Sequence, residues 1–226
     1  MTRVAPQTAK AMSEHWTARA HRFDGAASHL KQFDTWLNLF RQALGEKKLD
    51  VVDLGTGTGA CALLCATLGH RVTAVDGASG MLDYARAQAK ERGLDIRFIE
   101  NTMDDADLPD ACADIVTIRN VLWTLEQPEQ TLRLAHRLLR PGGRILVSDG
   151  LWRTSPNTSA DAFGAELPFV NGLSETEARA MLDRAGFGDI TAWQHLLPND
   201  LYGTMYDPGA QEMIRFFVLT ARQRTA

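Results

Sequence analysis

Apolar positions change their spacing at Leu49. Before it they recur at helical intervals: the segment Ser28 to Leu44 carries Trp36, Leu37, Phe40 and Leu44, an i, i+1, i+4, i+8 face, and Gly45 closes it. After it, short apolar runs alternate with compact helical stretches. LDVVDLG (49–55), RVTAVD (71–76), IRFIE (96–100), DIVTIRN (114–120) and RILVSD (144–149) read as strands. Between them, GACALLCATLG (59–69), Ser79 to Arg92 and Pro128 to Arg140 read as helices. Ser79 stands where it can cap the second, and PGG ends the third. This alternation predicts an α/β fold with a parallel, doubly wound sheet. Right-handed crossovers then place helices on both faces.

Past Asp149 the alternation lapses. Residues 150–172 are rich in turn formers and aromatics and read as a loop with a short helix. Ser174 and Glu177 form a capping box that opens a helix ending near Gly186. ITAWQHLL (190–197) and MIRFFVLTAR (213–222) read as two further strands. The stretch between them, 198–212, has a hairpin's position but is long for one, and long loops in compact domains are usually functional.

Composition narrows the function classes. A chain of 226 residues with 45% hydrophobic positions is one full α/β domain rather than two. The net charge of −4 and the lack of a basic stripe make nucleic acid an unexpected partner. No apolar run approaches the roughly 18 residues of a membrane span, and MTRVAPQTAK lacks the apolar stretch of a signal peptide. Cys61, Cys65 and Cys112 are odd in number and contain no CxxC pair, so no disulfide framework, no metal site and a cytoplasmic address are expected. Cys61 and Cys65 read as small buried side chains, and His70 and His136 as surface positions.

The sharpest local signal is VVDLGTGTGA, residues 51–60. Gly55, Gly57 and Gly59 stand between a strand and a helix, where missing side chains permit a tight turn and close approach to a ligand. Gly55-x-Gly57-x-x-Ala60 formally fits the dinucleotide fingerprint, which keeps an NAD(P)-linked oxidoreductase open as an alternative. Asp53 argues against it, because a carboxylate two residues before the first glycine repels a pyrophosphate and welcomes a cation. Asp76 ends the second strand, where a carboxylate can accept both hydroxyls of a ribose. Asp104 and Asp105 follow the third strand at the same sheet edge, either as ligand-binding groups or as a solvated acidic turn. This acidic mouth favours a positively charged nucleoside.

Together, VVDLGTGTG, the strand-ending Asp76, the MDDADLP segment and RNVLWTL before PGG resemble the motifs of class I S-adenosylmethionine-dependent methyltransferases. The resemblance covers about residues 12–220 and points to the small-molecule branch, which includes quinone-biosynthesis and natural-product tailoring enzymes. It implies a Rossmann-like sheet of seven strands, the last antiparallel, and S-adenosylmethionine as cofactor. Residues 1–48 would form a helical lid, 49–149 the cofactor-binding core and 150–226 the acceptor side. Gly55, Thr56 and Gly57 would pass under the methionine and ribose, with Asp53 near the ammonium group. Asp76 would hold the ribose, and Gly77 and Met81 would line the adenine. Asp104 would accept from the adenine amino group, and the Asp105 N–H would meet the ring. Arg119 would offer its backbone carbonyl to the ammonium group, unless it simply closes a salt bridge.

The chain departs from the family at Met103, which stands where a glycine is common and could pack on adenine, and at Trp123, where a histidine is common. Trp16, Ala20 and Phe23 sit at helical spacing. They read either as the face of a packed core helix or as the lid, in which Arg19 would reach the cofactor carboxylate and Trp16 or Phe23 would bound the methyl-transfer site. The resemblance implies a small-molecule acceptor with an O, N, S or C nucleophile, from secondary metabolism or cofactor biosynthesis. Its pocket is expected from the aromatic-rich segments 152–170 and 195–206, which carry Trp152, Phe163, Phe169, Tyr202 and Tyr206. His195 is the first candidate for a base, with the hydroxyls of Tyr202 and Tyr206 to orient the acceptor. A non-catalytic cofactor-binding protein on the same fold remains a further alternative.

Overall fold

A computed structural model describes residues 6–26, 32–154, 167–205 and 209–224; of residues 6–9 and 22–26 it describes the backbone alone. Phe163 and Tyr206 lie outside the described residues, as does the side chain of Phe23. In chain order the elements are α1 (Pro6–Ala26), α2 (Phe33–Leu44), β1 (Asp50–Leu54), α3 (Ala60–Thr67), β2 (Arg71–Asp76), α4 (Ser79–Glu91), β3 (Ile96–Glu100), β4 (Ala113–Arg119), α5 (Pro128–Leu138), β5 (Leu139–Leu151), α6 (Glu175–Arg184), β6 (Phe187–Ala192) and β7 (Arg215–Gln223).

The seven strands form one sheet in the order β3-β2-β1-β4-β5-β7-β6. Strands β1 to β5 run parallel, and β7 runs antiparallel to both neighbours, β5 and β6. The expected α/β sheet with an antiparallel last strand is therefore present, and that strand lies one place inside the sheet's edge. The strands read as continuous apolar runs because both faces are covered. Val51, Ile115 and Leu146 point to the side packed by Trp36, Phe40 and Cys65. Val52, Val116, Ile145 and Val147 point to the side packed by Leu132, Leu138 and Met181. Strand β1 ends between β2 and β4, so the glycine loop opens where the strand order reverses, the place at which open α/β sheets bind ligands.

Several local expectations are corrected. Ser79 does not cap α4: Ala78 occupies that position, and Asp76 accepts its N–H instead. PGG does not separate helix from strand, because β5 begins at Leu139 and carries PGG as an irregularity between the pairs Ala113–Leu139 and Ile115–Arg144. The sixth strand starts at Phe187, directly after Gly186, and stops at Ala192. Its expected second half is a 3-10 turn, Gln194–Leu196, so His195 is not on a strand. His70 is buried, and its ring nitrogen accepts the Leu49 N–H at 3.3 Å. The capping box at Ser174 and Glu177 forms as read, and Cys61 and Cys65 are buried.

Candidate active site

A cavity of about 390 Å³ opens at the C-terminal edge of the sheet. Its floor is the loop from β1 to α3. Gly55 turns with φ +67°, and a Cβ there would lie 2.6 Å from the Val121 side chain, so the residue must be glycine on both counts. The loop is tied to β2: Thr56 N–H donates to the Val75 carbonyl at 3.0 Å, and Gly57 N–H to one oxygen of Asp76 at 2.8 Å. The other Asp76 oxygen accepts from Ala78 N–H at 2.8 Å. Each oxygen keeps a lone pair, and burial raises the acid's pKa.

Asp53 sits beneath this loop and is 2% exposed. The sheet register pairs it with Thr117, whose hydroxyl donates to one carboxylate oxygen at 2.6 Å. The other oxygen accepts from the Thr56 hydroxyl at 2.6 Å and from Ala62 N–H at 3.2 Å. Burial pushes its pKa up to about 6 despite these donors, and the negative charge of Asp76 pushes the same way. The cavity therefore holds a buried carboxylate that sits close to protonation and gains from a cation.

The walls collect most of the residues read from the sequence: Trp16, Thr56, Gly57, Gly77, Met81, Met103, Asp104, Asp105 and Arg119 all face the cavity with Asp53, Gly55 and Asp76. Three details differ from expectation. The Asp105 N–H is engaged by the Thr102 carbonyl at 3.2 Å. Arg119 closes no salt bridge among the described residues; its guanidinium lies over the Trp36 ring at 4.0 Å and donates to the Tyr202 hydroxyl at 2.9 Å. Arg19 is exposed and bonded to His15 rather than facing the cavity. On a helix laid across the opening, Met12, Ser13 and Trp16 are the described residues that face inward.

The three candidates for acceptor chemistry fare differently. His195 is exposed in its 3-10 turn and off the cavity wall. Tyr202 is also off the wall, packed edge-on between Trp152 and Phe216 at 5.2 Å, and touches the cavity only through Arg119. Tyr206 lies outside the described residues.

Some wall residues escaped the sequence reading. Helix α1 is pinned across the opening by Ser13, whose hydroxyl donates to the Gly77 carbonyl at 2.5 Å, and by the close approach of Thr17 to Gly80. Asn120 follows β4 in the left-handed region, φ 55°, with its carbonyl taken by the Trp123 indole N–H at 3.1 Å. Its side-chain oxygen is buried and has no partner among the described residues. Gln127 and Gln130, also on the wall, pair their amides. Only the RN dipeptide, a cation and an amide closing an apolar strand, was a visible signal.

Comparison with known proteins identifies the frame. Residues 52–147 match the family described as Methyltransferase domain. Over that stretch the chain is similar to methyltransferases. The matched stretch runs from β1 into β5 and contains the glycine loop, Asp53, Asp76 and Arg119. Over 141 residues the chain is 35% identical to the demethylmenaquinone methyltransferase of Thermus thermophilus, across 58% of this chain and 62% of that protein. It is 28% identical over 162 residues to the ubiquinone biosynthesis O-methyltransferase of Xanthomonas axonopodis pv. citri, across 70% of this chain and 66% of that one. Among solved structures, the Burkholderia thailandensis 1,6-didemethyltoxoflavin-N1-methyltransferase superposes with a TM-score of 0.67 at 20% identity, covering 100% of this chain and 93% of that chain. The [4+2]-cyclase SpnF superposes with a TM-score of 0.65, also at 20% identity, covering 85% and 81%. The fold is thus shared both with a methyltransferase and with a protein named for different chemistry.

Proposed function

We propose that the chain transfers a methyl group from S-adenosylmethionine to a small molecule. One observation carries this reading: Asp53, the glycine loop, Asp76 and Asp104 follow one another along one sheet edge and face one cavity. The donor set fits the cofactor. Asp53, whose pKa burial raises to about 6, is stabilised in its charged form by an ammonium group. Asp76, locked by two backbone N–H groups, presents its remaining lone pairs to a ribose. Gly77, Met81 and Met103 line the cavity and offer apolar surface for a purine, with the exposed Asp104 carboxylate among them.

When bound, the sulfonium supplies an already activated methyl group, so the chain's task is to align and to exclude water. Trp16 on α1, edge-on to Trp123 at 6.2 Å, covers the opening and supports reading residues 1–48 as a lid. The similarity to the two quinone-pathway enzymes and to the toxoflavin enzyme supports a planar small-molecule acceptor. Because His195 lies away from the wall, we assign it no role as base. A cytoplasmic protein without nucleic-acid partners agrees with its cysteines and its charge, and no described helix is long and apolar enough to cross a membrane. Titration calorimetry with S-adenosylhomocysteine tests the reading: binding is expected, and its absence at millimolar ligand overturns it. NADH titrated under the same conditions is expected to leave its fluorescence unchanged.

A further inference from the structure

Arg119 is the last residue of β4 and is 8% exposed. A guanidinium carries five N–H donors and stays charged. Among the described residues only one of the five finds an acceptor, the Tyr202 hydroxyl at 2.9 Å, and Nε is buried with none. No carboxylate among the described residues pairs with it, and its one flat contact is the Trp36 ring. Arg144, half-buried in the same sheet, shows the usual solution: it donates to the Ala43 and Leu44 carbonyls, each at 2.9 Å. A buried cation with idle donors is costly to hold unless something anionic meets it. Such a group can arrive from the cavity, since Arg119 lines it beside Asn120 and Val121.

We propose that the Arg119 side chain is the floor of a carboxylate-binding subsite, with Tyr202 as its positioning residue. The planar fork matches a carboxylate in two-point contact, which a lysine cannot reproduce. Trp36 beneath and Tyr202 at the side hold the fork in place. Two ligands could bring the carboxylate: the amino-acid end of the cofactor, in which case the inference rests on the cofactor reading above, or an acidic acceptor. On either account Tyr202 ties the acceptor-side segment around Leu201 to the cavity through a single hydrogen bond.

The test compares S-adenosylhomocysteine with its decarboxylated analogue, which keeps the nucleoside, thioether and amine. Calorimetry on the wild type is expected to favour the carboxylate form by about 30-fold or more, as two charge-assisted hydrogen bonds allow. In Arg119→Met, which keeps an apolar stem over Trp36, that preference falls below about 3-fold while the analogue binds as before. Tyr202→Phe lowers the preference part-way and leaves the analogue's affinity unchanged, a pattern that loss of packing would not give. Should Arg119→Met fail to fold, Arg119→Lys replaces it, with an intermediate preference expected.

The second arm offers benzoate to the protein saturated with S-adenosylhomocysteine. If the cofactor preference survives in the Arg119 variants but benzoate binds only the wild type, the subsite takes an acceptor's carboxylate. An unchanged preference together with unchanged benzoate behaviour overturns the subsite. Failure of the wild type to bind S-adenosylhomocysteine at all overturns the cofactor reading instead, and benzoate on the unliganded protein then decides the subsite alone.

Discussion

Asp53 and Asp149 are both fully buried carboxylates with raised pKa values, and they make opposite predictions because only one faces the cavity. Asp53, at about 6, takes up a proton just below neutrality in the free protein. A ligand ammonium requires the ionised form, so S-adenosylhomocysteine affinity is expected to be flat above pH 7. It should fall as pH drops below 6, by up to about tenfold per unit. Asp53→Asn should bind weakly and show no such slope; a wild-type profile that is level from pH 5 to 8 would count against the ammonium contact. Asp149, pushed by burial to about 7, accepts from Gly150 N–H, Trp123 N–H and the Trp152 indole, and so joins the end of β5 to the turn after β4. Its folded pKa exceeds the unfolded value. Its contribution is therefore greatest below pH 4 and is lost as pH rises towards 7, by about 4 kcal/mol at most. Urea denaturation of the wild type and Asp149→Asn should show the wild type losing stability relative to the variant between pH 4 and 7. A constant difference would refute this.

Among the elements, α1 decides whether the cavity is open or covered. Its inner face is pinned at two points, Ser13 to Gly77 and Thr17 to Gly80, and a Cβ on Gly80 would lie 2.8 Å from the Thr17 side chain. Among its described side chains, Ala20 and Trp16 join the core, against Ala78 and Met81. Removing residues 1–31 should therefore weaken S-adenosylhomocysteine binding at least about tenfold and lower the melting temperature by only a few degrees. Failure of the shortened chain to fold cooperatively would make α1 a core helix instead. The sequence left both readings open because a stripe at Trp16 and Ala20 has the same spacing in either case. The glycine loop, Asp53 and Asp76 were legible because their chemistry is local: a strand end, a turn and an acid a few residues apart. Arg19 and His195 were not, because whether a helix or turn aims a side chain inward depends on how distant parts of the chain pack. Arg119 was visible as a residue, but its idle donors follow only from Trp36 and Tyr202 closing over it.

At the scale of the whole molecule, β7 holds the right half of the sheet together. Leu219 pairs with Val147 on one side and Ala192 on the other and is 0% exposed. A charge there has no partner and no route to water. Leu219→Asp should leave little soluble protein, whereas Ile96→Asp on the edge strand β3 should remain soluble and foldable. Comparing soluble yields after expression is sufficient, and equal yields would show that β7 is less central than its position implies.

That position also orders events during synthesis. β6 leaves the ribosome before β7, yet β7 stands between it and β5. Until β7 emerges, β6 has no strand to join, and β5 presents an unpaired edge along its apolar stretch Ile145–Val147. Such an edge is a template for intermolecular pairing. The nascent chain is therefore most prone to aggregate in the interval between the two strands, and a chaperone that shields β5 in that interval would raise yield without touching the finished fold.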